Sequence, residues 1–507
     1  MKSRTENVTR NLKSSILFQC TNIIIKFLLR TVFIYALGKE YLGVNGVFTN
    51  ILTVLSLSEL GLGTAIIYDM YQPIAENNTE KEIQLFRFYR YIYAIVGSTI
   101  LLLGLLLVPF LKYIIKDVPN VSHLYVIYCL QLASTSASYF FAQYRSLLDA
   151  HQLNSINTKN NWIFAVVKTL LQIAVLLAWK NYILFLLIDL VIVIVSNYAI
   201  SIKCRKLFPY INSSPEIQTQ IEYKHILKNA MSTFSIKVGI TVVNATDNLL
   251  ISAFISTLLV GIYSNYSMIT SVITASTMLI SSALQASVGN LCVSKDYKKI
   301  SDVFERIRFL YVTIYAMVCI GMLSLINPFV ELWAGKEYVL DIRIVSLIVL
   351  NLYLTGVHQP IEVFVYADGL FRYFKIKPWI EAAINLVVSM LLARPLGIIG
   401  IFIGTTVSHI TTTLWYDARI VYKKSLHKAF RTYWNCYLMY LLPTFMMAVM
   451  VGFVSNKIEV SMNPYLSFIV KAIVVVGLSV VGWILLFGKT EQFKYYSATL
   501  TEKIRKM

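Results

Sequence analysis

Residues 14–37 read SSILFQCTNIIIKFLLRTVFIYAL, an apolar stretch that polar side chains interrupt at regular spacing. A helix needs roughly 20 mostly apolar residues to cross the hydrocarbon core of a bilayer. The stretch is therefore long enough to span a membrane. A basic segment precedes it, but no small-residue cleavage site follows it. We interpret the stretch as a retained first transmembrane helix and not as a signal peptide.

The rest of the chain has the same character. Of its 507 residues, 57% are hydrophobic and 14% are charged, whereas soluble domains are about 45–50% apolar and about 25% charged. A soluble protein of this composition would expose far too much apolar surface. This excludes an ordinary cytosolic enzyme, a disordered chain and a secreted disulfide scaffold. The six cysteines are scattered without a C-x-x-C pair, so we assign them no redox or zinc role.

Apolar stretches of this length recur along the chain, and we count fourteen of them. The sequence therefore predicts an all-α membrane protein with fourteen transmembrane helices. Short breaks separate several neighbours, at Gly38–Glu40, Lys180–Asn181 and Arg394–Pro395. The predicted cores are 14–37, 42–71, 88–110, 122–147, 160–179, 182–203, 227–254, 258–290, 306–332, 342–366, 376–393, 397–421, 432–454 and 464–487.

Basic residues between these stretches fall mostly on one side of the predicted membrane. With the N-terminus inside, 32 of the 45 Lys and Arg residues lie in inside segments and eight in outside segments. The positive-inside rule therefore predicts that both termini are cytoplasmic. Because this topology explains the net charge of +19, we predict no nucleic-acid partner.

The second half of the sequence repeats the first at an offset of about 218 residues. For example, Leu42-Gly43-Val44 corresponds to Val260-Gly261-Ile262. One unit holds six helices, and because six is even, we predict two parallel bundles related by a pseudo-twofold axis along the membrane normal. Two such bundles enclose a central cavity, which is transporter architecture. The predicted parts are an N-terminal bundle (1–204), a cytoplasmic linker (205–225), a C-terminal bundle (226–424), and two additional helices with a cytoplasmic tail (425–507).

Polar side chains form a stripe on one face of the first helix and of the seventh (227–254). The substrate-binding candidates are Gln19, Asn22, Lys26 and Arg30 in the first stripe and Lys237, Asn244 and Asn248 in the second. The repeat offset maps Lys26 onto Asn244 and Arg30 onto Asn248. Charges within a span are costly and usually face the bundle interior. We therefore predict that both stripes line the cavity and bind an anion, most naturally a phosphate or pyrophosphate.

The alternative for the lysines is that Lys26 and Lys237 snorkel to the interface or pair with acids. Among the acids, Asp247 flanks the second stripe. It is a candidate for proton or sodium coupling or for counter-charge, and a salt bridge to Arg30 or Lys237 is an equally good interpretation. Glu59 lies among small residues, where close helix packing is as reasonable a role as ion coupling.

Two further candidates for ion coupling, His358 and Glu362, are four residues apart in the tenth span. They can relay a proton, but we favour a polar pair in a stretch that Pro360 distorts. Lys168 and Asp189 lie near the middle of neighbouring spans, and we expect them to pair with each other. No zinc, P-loop, G-x-S-x-G or dinucleotide motif is present. We therefore predict no catalytic residue, no metal site and no cofactor beyond H⁺ or Na⁺.

Residues 37–50 (LGKEYLGVNGVFTN) and 57–65 (LSELGLGTA) carry a family resemblance. They resemble the opening of Wzx-type polysaccharide repeat-unit flippases, in the superfamily that also holds MATE exporters and lipid II flippases. The resemblance implies a bacterial inner or plasma membrane protein. It would move an undecaprenyl-diphosphate-linked oligosaccharide to the outer leaflet by alternating access. The implied setting is O-antigen, capsule or exopolysaccharide assembly, with membrane lipids, a polysaccharide polymerase and other assembly proteins as partners.

Three other functions compete with this interpretation. A MATE-type exporter of cationic drugs needs acids in its cavity, whereas the first-helix stripe is basic. A lipid II flippase shares the mechanism and differs only in cargo, so sequence separates it poorly. A membrane-embedded glycan polymerase or acyltransferase would need a large outside loop or a catalytic cluster. The longest connections here are about 20 residues, so we predict a transporter and not an enzyme.

Overall fold

The computed structural model describes residues 4–56, 62–115, 121–213, 241, 245–374, 376–458 and 463–505. The regular elements in these ranges are all helical, as the sequence predicted. The candidates Glu59, Lys237 and Asn244 lie outside the described residues, and so does the side chain of Gln19.

The chain divides into two compact units, Met1–Gly261 and Ile262–Met507. In the first unit, α1 packs on α7, and α5 packs on both α3 and α8. Its helices are α1 (Arg4–Leu55), α2 (Leu62–Ala75), α3 (Thr79–Leu107), α4 (Leu111–Ile114), α5 (Leu124–Tyr139), α6 (Ala142–Ala150), α7 (Asn154–Trp179) and α8 (Tyr182–Leu207). A short apolar helix, Ala245–Ile255, follows.

Helix α9 (Thr257–Val293) begins in the first unit and continues into the second. The remaining helices belong to the second unit. They are α10 (Tyr297–Ala334), α11 (Ile342–Ala367), α12 (Lys377–Leu396), α13 (Ile398–Ser408), α14 (Leu414–Lys424), α15 (Phe430–Asn456), α16 (Pro464–Phe487) and α17 (Glu491–Arg505). Helices α15 and α16, which correspond to the two additional helices of the prediction, pack on α10.

The predicted domain boundaries stay a prediction. The division into compact units falls after Gly261, whereas the sequence predicted a linker over 205–225. The first residues of that linker are still part of α8, and a 3₁₀ turn follows at Pro209–Asn212. Residues 214–225 lie outside the described ranges.

Eleven helices of the described ranges are long and apolar enough to cross a membrane, which indicates a multi-pass membrane protein. This fold is compatible with the fourteen predicted spans. Three of the predicted spans are not among the eleven, and each has a local reason. The predicted span 42–71 is divided between α1 and α2, and 122–147 is divided between α5 and α6. The span 227–254 is described at residue 241 and from 245 onward.

Helix α1 bends where the sequence predicted a break between its first two spans. Gly38 has φ 77° and ψ −173°, a conformation that essentially only glycine adopts. Nothing lies within 4 Å of the place where a Cβ would stand on Gly38, so the backbone conformation itself requires glycine here. α1 therefore combines the first predicted span with the beginning of the second.

The helix boundaries carry the predicted repeat. α3 begins at Thr79 and α10 at Tyr297, which is an offset of 218 residues. The N-caps before them share that offset: the side chain of Asn78 accepts from the Lys81 N–H, and that of Asp296 accepts from the Lys299 N–H. The same offset relates the start of α5 to the start of α11. Equal spacing of stop and start signals therefore builds the same order of helices twice.

Candidate functional site

The first-helix stripe lies on α1, before its bend. The side chains of Asn22 and Arg30 are half-buried, and that of Lys26 is exposed. The Arg30 guanidinium is near enough to the Tyr182 hydroxyl at the start of α8 to interact with it electrostatically. Arg30 thus lies near the start of α8, whereas Lys26 is exposed.

Tyr182 belongs to a closed polar triangle inside the first unit. The Gln131 amide donates to Asn45 Oδ1 at 3.0 Å and to the Tyr182 hydroxyl at 2.9 Å. The Tyr182 hydroxyl in turn donates to Asn45 Oδ1 at 2.9 Å. The triangle ties α1, α5 and α8 together. The sequence patterns had not predicted this triangle. An Asn and a Gln in apolar stretches were a usable signal for it, because buried amides need hydrogen-bond partners.

An ion pair joins α7 and α8 of the first unit. Lys168 Nζ on α7 lies 2.7 Å from Asp189 Oδ1 on α8, which confirms the predicted pairing. The Ser134 hydroxyl on α5 donates to the other oxygen of Asp189 at 2.6 Å. The carboxylate is therefore held from two neighbouring helices, α5 and α7.

The second unit holds a larger buried network of charged groups. Asp417 Oδ2 lies 2.8 Å from His358 Nε2 and 2.9 Å from Lys377 Nζ. Lys377 Nζ also lies 3.4 Å from Glu381 Oε2. The other oxygen of Glu381 lies 3.2 Å from His409 Nδ1 and accepts from the Thr413 hydroxyl. One lysine and two carboxylates therefore share a buried, histidine-flanked site.

Local backbone geometry helps to assemble this network. His409–Thr413 is a π-helical turn between α13 and α14. Such turns often occur at functional sites, because they shift side chains out of the α-helical register. Here the turn begins and ends at the two residues that contact Glu381.

The two networks occupy equivalent helices of the repeat. In the first unit the network joins α5, α7 and α8, and in the second it joins α11, α12 and the α13–α14 segment. The residues themselves differ, because Asp189 and Asp417 are not at the repeat offset. Each unit thus connects three helices at equivalent places in the repeat, and each does so with its own charged groups.

The other predicted candidates that the structure describes are on two helices, one in each unit. Asp247 is buried in the helix Ala245–Ile255, and the neighbouring Asn248 is half-buried with its Oδ1 unsatisfied among the described residues. His358 is buried against Asp417, whereas Glu362, one turn further along α11, is exposed. The structure thus gives His358 an aspartate partner that the spacing of the sequence had not suggested.

A separate polar cluster lies where α3 meets the 3₁₀ turn Pro209–Asn212. Glu82 Oε1 accepts from the Tyr210 hydroxyl at 2.8 Å and lies 2.7 Å from His151 Nε2. Burial raises the pKa of Tyr210, and the hydrogen bond and charge of Glu82 raise it further. The neutral phenol is therefore a stable donor that fastens this turn to α3.

The described ranges contain no group of three His, Cys, Asp or Glu side chains arranged to hold a metal ion. In the Asp417 network, Lys377 occupies the position between the two carboxylates. A cation is thus already supplied by the chain itself.

No protein-family model matches the sequence, and no curated protein matches it. Several solved structures share its fold. An inward closed conformation of the lipid II flippase MurJ has a TM-score of 0.65 at 15% identity, covering 93% of this chain and 99% of that one. An inward-facing multidrug resistance MATE family transporter of the MOP superfamily has a TM-score of 0.62 at 15% identity, covering 80% and 96%. A mutant of the Vibrio cholerae MATE transporter VcmN has a TM-score of 0.58 at 16% identity, covering 83% and 98%.

Proposed function

We propose that this protein is a membrane transporter of the MOP type, and specifically a flippase. Its cargo is an undecaprenyl-diphosphate-linked oligosaccharide repeat unit, which it moves from the cytoplasmic to the outer leaflet for surface polysaccharide assembly. The observation that carries the proposal is the basic stripe of α1, in which an accessible Lys26 and a half-buried Arg30 lie one turn apart within an apolar span.

The chemistry of the cargo supports this choice. A diphosphate cannot cross hydrocarbon unaided, because burying its charge there costs many kcal/mol. A hydrated cavity with fixed cations replaces the water around the headgroup, while the polyprenyl tail stays in the lipid. Arg can grip a phosphate with two parallel hydrogen bonds, and Lys serves as a mobile point charge. The fold that this chain shares with MurJ and the MATE transporters is consistent with alternating access.

The coupling ion of the proposed cycle is a proton or a sodium ion. The carboxylates Asp189 and Asp417 are candidates beside the sequence-based ones, because each is held by a lysine and by a residue of a third helix. An incoming cation competes with that lysine for the carboxylate. Binding would therefore change the contacts between helices within a unit.

A second cargo deserves a direct test, because one structural neighbour is a lipid II flippase. Lipid II also carries a diphosphate on a polyprenyl tail, so the basic stripe suits either headgroup. Only the sugar portion distinguishes the two cargoes. We place the repeat unit first because of the resemblance of residues 37–50 and 57–65.

The test is translocation by the full-length protein in liposomes, with a fluorescent diphosphate-linked oligosaccharide in one assay and fluorescent lipid II in another. Arg30→Ala and Lys26→Ala are expected to reduce the rate at least about tenfold, as loss of a charge-assisted hydrogen bond implies. Lys471→Ala is the matched control, because Lys471 lies in α16, outside the repeat. It should translocate at the wild-type rate.

Each result separates the rival functions. Faster movement of lipid II than of the oligosaccharide lipid would reassign the cargo. Export of a cationic dye with neither lipid moved would favour a MATE-type exporter. Wild-type translocation by both Arg30→Ala and Lys26→Ala, at equal protein levels, would contradict the basic-stripe mechanism.

A further inference from the structure

A cavity of about 470 Å³ lies among α5, α6, α7 and α8 of the first unit. This volume is within the range of small-molecule pockets. Apolar side chains form part of its wall, including Phe164 and Ile192, and the cavity is open on one side. Its polar lining residues are Ser138, Arg145, Asn161, Lys168, Ser196 and Asn197. None of these belongs to the basic stripe of α1.

Arg145 is held in this cavity by neutral groups. Its Nη2 and Nε donate to Asn197 Oδ1 at 2.9 Å and 3.3 Å, and Nη2 also donates, more weakly, to the Ser196 hydroxyl at 3.4 Å. Its Nη1 donates to Asn161 Oδ1. The amide of Asn160 holds the Ser196 hydroxyl in place from α7 at 2.9 Å. These neutral amide and hydroxyl groups therefore orient the guanidinium but leave its positive charge uncompensated.

The carboxylates near the cavity are engaged elsewhere. Asp189 is paired with Lys168, so the charges of these two cancel. Asp149 lies one helical turn beyond Arg145 and attracts it electrostatically. However, Asp149 does not line the cavity, and its Oδ1 accepts from the Asn157 amide at 2.7 Å. The described lining thus holds two cations and no carboxylate. Asp189 compensates the charge of Lys168, so Arg145 is the cation with no ion-pair partner in the lining.

A pocket of this kind is suited to a phosphate group. Arg145 has five N–H donors, and a phosphate can take the remaining Nη1 donor and replace the weak 3.4 Å contact with Ser196. The exchange is favourable because charge-assisted hydrogen bonds are about twice as strong as neutral ones. Basic pockets between transmembrane helices bind lipid phosphates in this way. The outward faces of α7 next to the cavity are apolar, with Ile163 and Val167 exposed, so lipid is at hand.

We propose that this cavity is a binding site for the phosphate group of an anionic molecule, with Arg145 as its principal ligand. The site is distinct from the basic stripe of α1 and shares only Lys168 with the ion pair considered above for coupling. The inference does not rest on the proposed transport function. Its source of phosphate is either the headgroup of an anionic phospholipid or a free phosphate. A bound anion would bridge α6, α7 and α8 through Arg145 and its amide partners.

The experiment measures binding to the purified full-length protein in two arms. Native mass spectrometry counts retained phosphatidylglycerol against phosphatidylcholine, and calorimetry measures inorganic phosphate. Arg145→Gln should weaken binding about tenfold or more. Arg343→Gln is the matched control, because Arg343 pairs with the exposed Asp341, and it should bind as the wild type does.

A second variant keeps the test decisive if Arg145→Gln folds poorly. Ala165→Phe fills the cavity from α7 while Arg145 stays in place, and it should also weaken binding. If the variants lose only phosphatidylglycerol binding, the site takes a lipid headgroup. If they lose only inorganic phosphate binding, the site takes a free anion. Undiminished binding of both probes by Ala165→Phe would overturn the proposal. Because neither arm measures transport, failure here is distinguishable from failure of the flippase function.

Discussion

Gly43 and Gly261, which the sequence repeat places at equivalent positions, lie against each other where α1 crosses the beginning of α9. A Cβ on Gly261 would lie 2.8 Å from the backbone N of Gly43 and 2.6 Å from the carbonyl oxygen of Lys39. A Cβ on Gly43 would collide with the carbonyl of Thr257. Small residues let helix backbones approach this closely in membranes. The crossing therefore depends on glycine from both halves of the repeat.

We expect Gly43→Ala and Gly261→Ala each to destabilise the protein. The added methyl group meets backbone atoms that cannot rotate away, and overpacking of this kind costs about 1–3 kcal/mol or more. Denaturant titration of the purified protein in micelles measures the loss. Gly452→Ala in α15 is the control, because nothing lies within 4 Å of its added Cβ. It should be neutral or gain up to about 1 kcal/mol from helix propensity. Equal stabilities for all three variants would disprove the close crossing.

Asp417→Ala should be strongly destabilising. It leaves Lys377 with Glu381 alone and removes the charged partner of His358, and both Asp417 and Lys377 are largely buried. Breaking a buried ion pair by removing one partner costs about 3–5 kcal/mol. Thermal melting followed by tryptophan fluorescence measures the effect. Asp368→Ala is the comparison and should cost less, since the Asp368 carboxylate accepts a hydrogen bond from the neutral Ser425 hydroxyl. An equal or larger loss for Asp368→Ala would argue against the central role of Asp417.

The pair Lys168–Asp189 lends itself to a double-mutant cycle. Lys168→Met and Asp189→Leu each leave one charge without its ion-pair partner. Each should cost less than the 3–5 kcal/mol of a fully buried pair, because these side chains are 32% and 27% exposed. The double variant removes both charges and should recover part of the loss. Strictly additive losses would show that the two charges are not energetically coupled.

The N-caps Asn78 and Asp296 should contribute equally to stability. Each supplies one side-chain oxygen to the backbone N–H three residues on, at 2.9 Å and 3.1 Å. Replacing either by Ala should cost about 1 kcal/mol, measured by the same denaturant titration. Asn78→Asp keeps the acceptor and is the control. A cost for one Ala variant without the other would deny that the two caps are equivalent.

Most of the local structure was predictable from the sequence. Apolar length determined the helices, Gly38 and Lys180–Asn181 marked breaks that the structure contains, and the 218-residue offset foretold the helix starts at Thr79 and Tyr297. One exception is the break predicted at Arg394–Pro395. α12 continues through Pro395 to Leu396, and the chain turns at Gly397, where φ is 60°. Only the glycine accommodates that backbone conformation, so it fixes the turn.

Partner choice was predictable only where the sequence offered one candidate. Lys168 and Asp189 are opposite charges at the middle of adjacent spans, so their pairing followed from hydropathy alone. His358 had Glu362 one turn away, but its partner is Asp417, 59 residues further along the chain. Which of two acids a histidine meets depends on how three helices rotate about their axes. That rotation is set by packing over their whole lengths and leaves no local signature.

The sequence by itself determined the all-helical membrane class of this protein, the position and order of most of its described helices, and the 218-residue offset between equivalent helix starts. These follow from short-range rules, since hydropathy, helix caps and glycine conformation act within a few residues. The tertiary structure alone decided that Gly43 meets Gly261, that a π turn turns His409 toward Glu381, and that Arg145 lines a cavity. Such contacts depend on side-chain packing between distant segments, which no single stretch of sequence encodes.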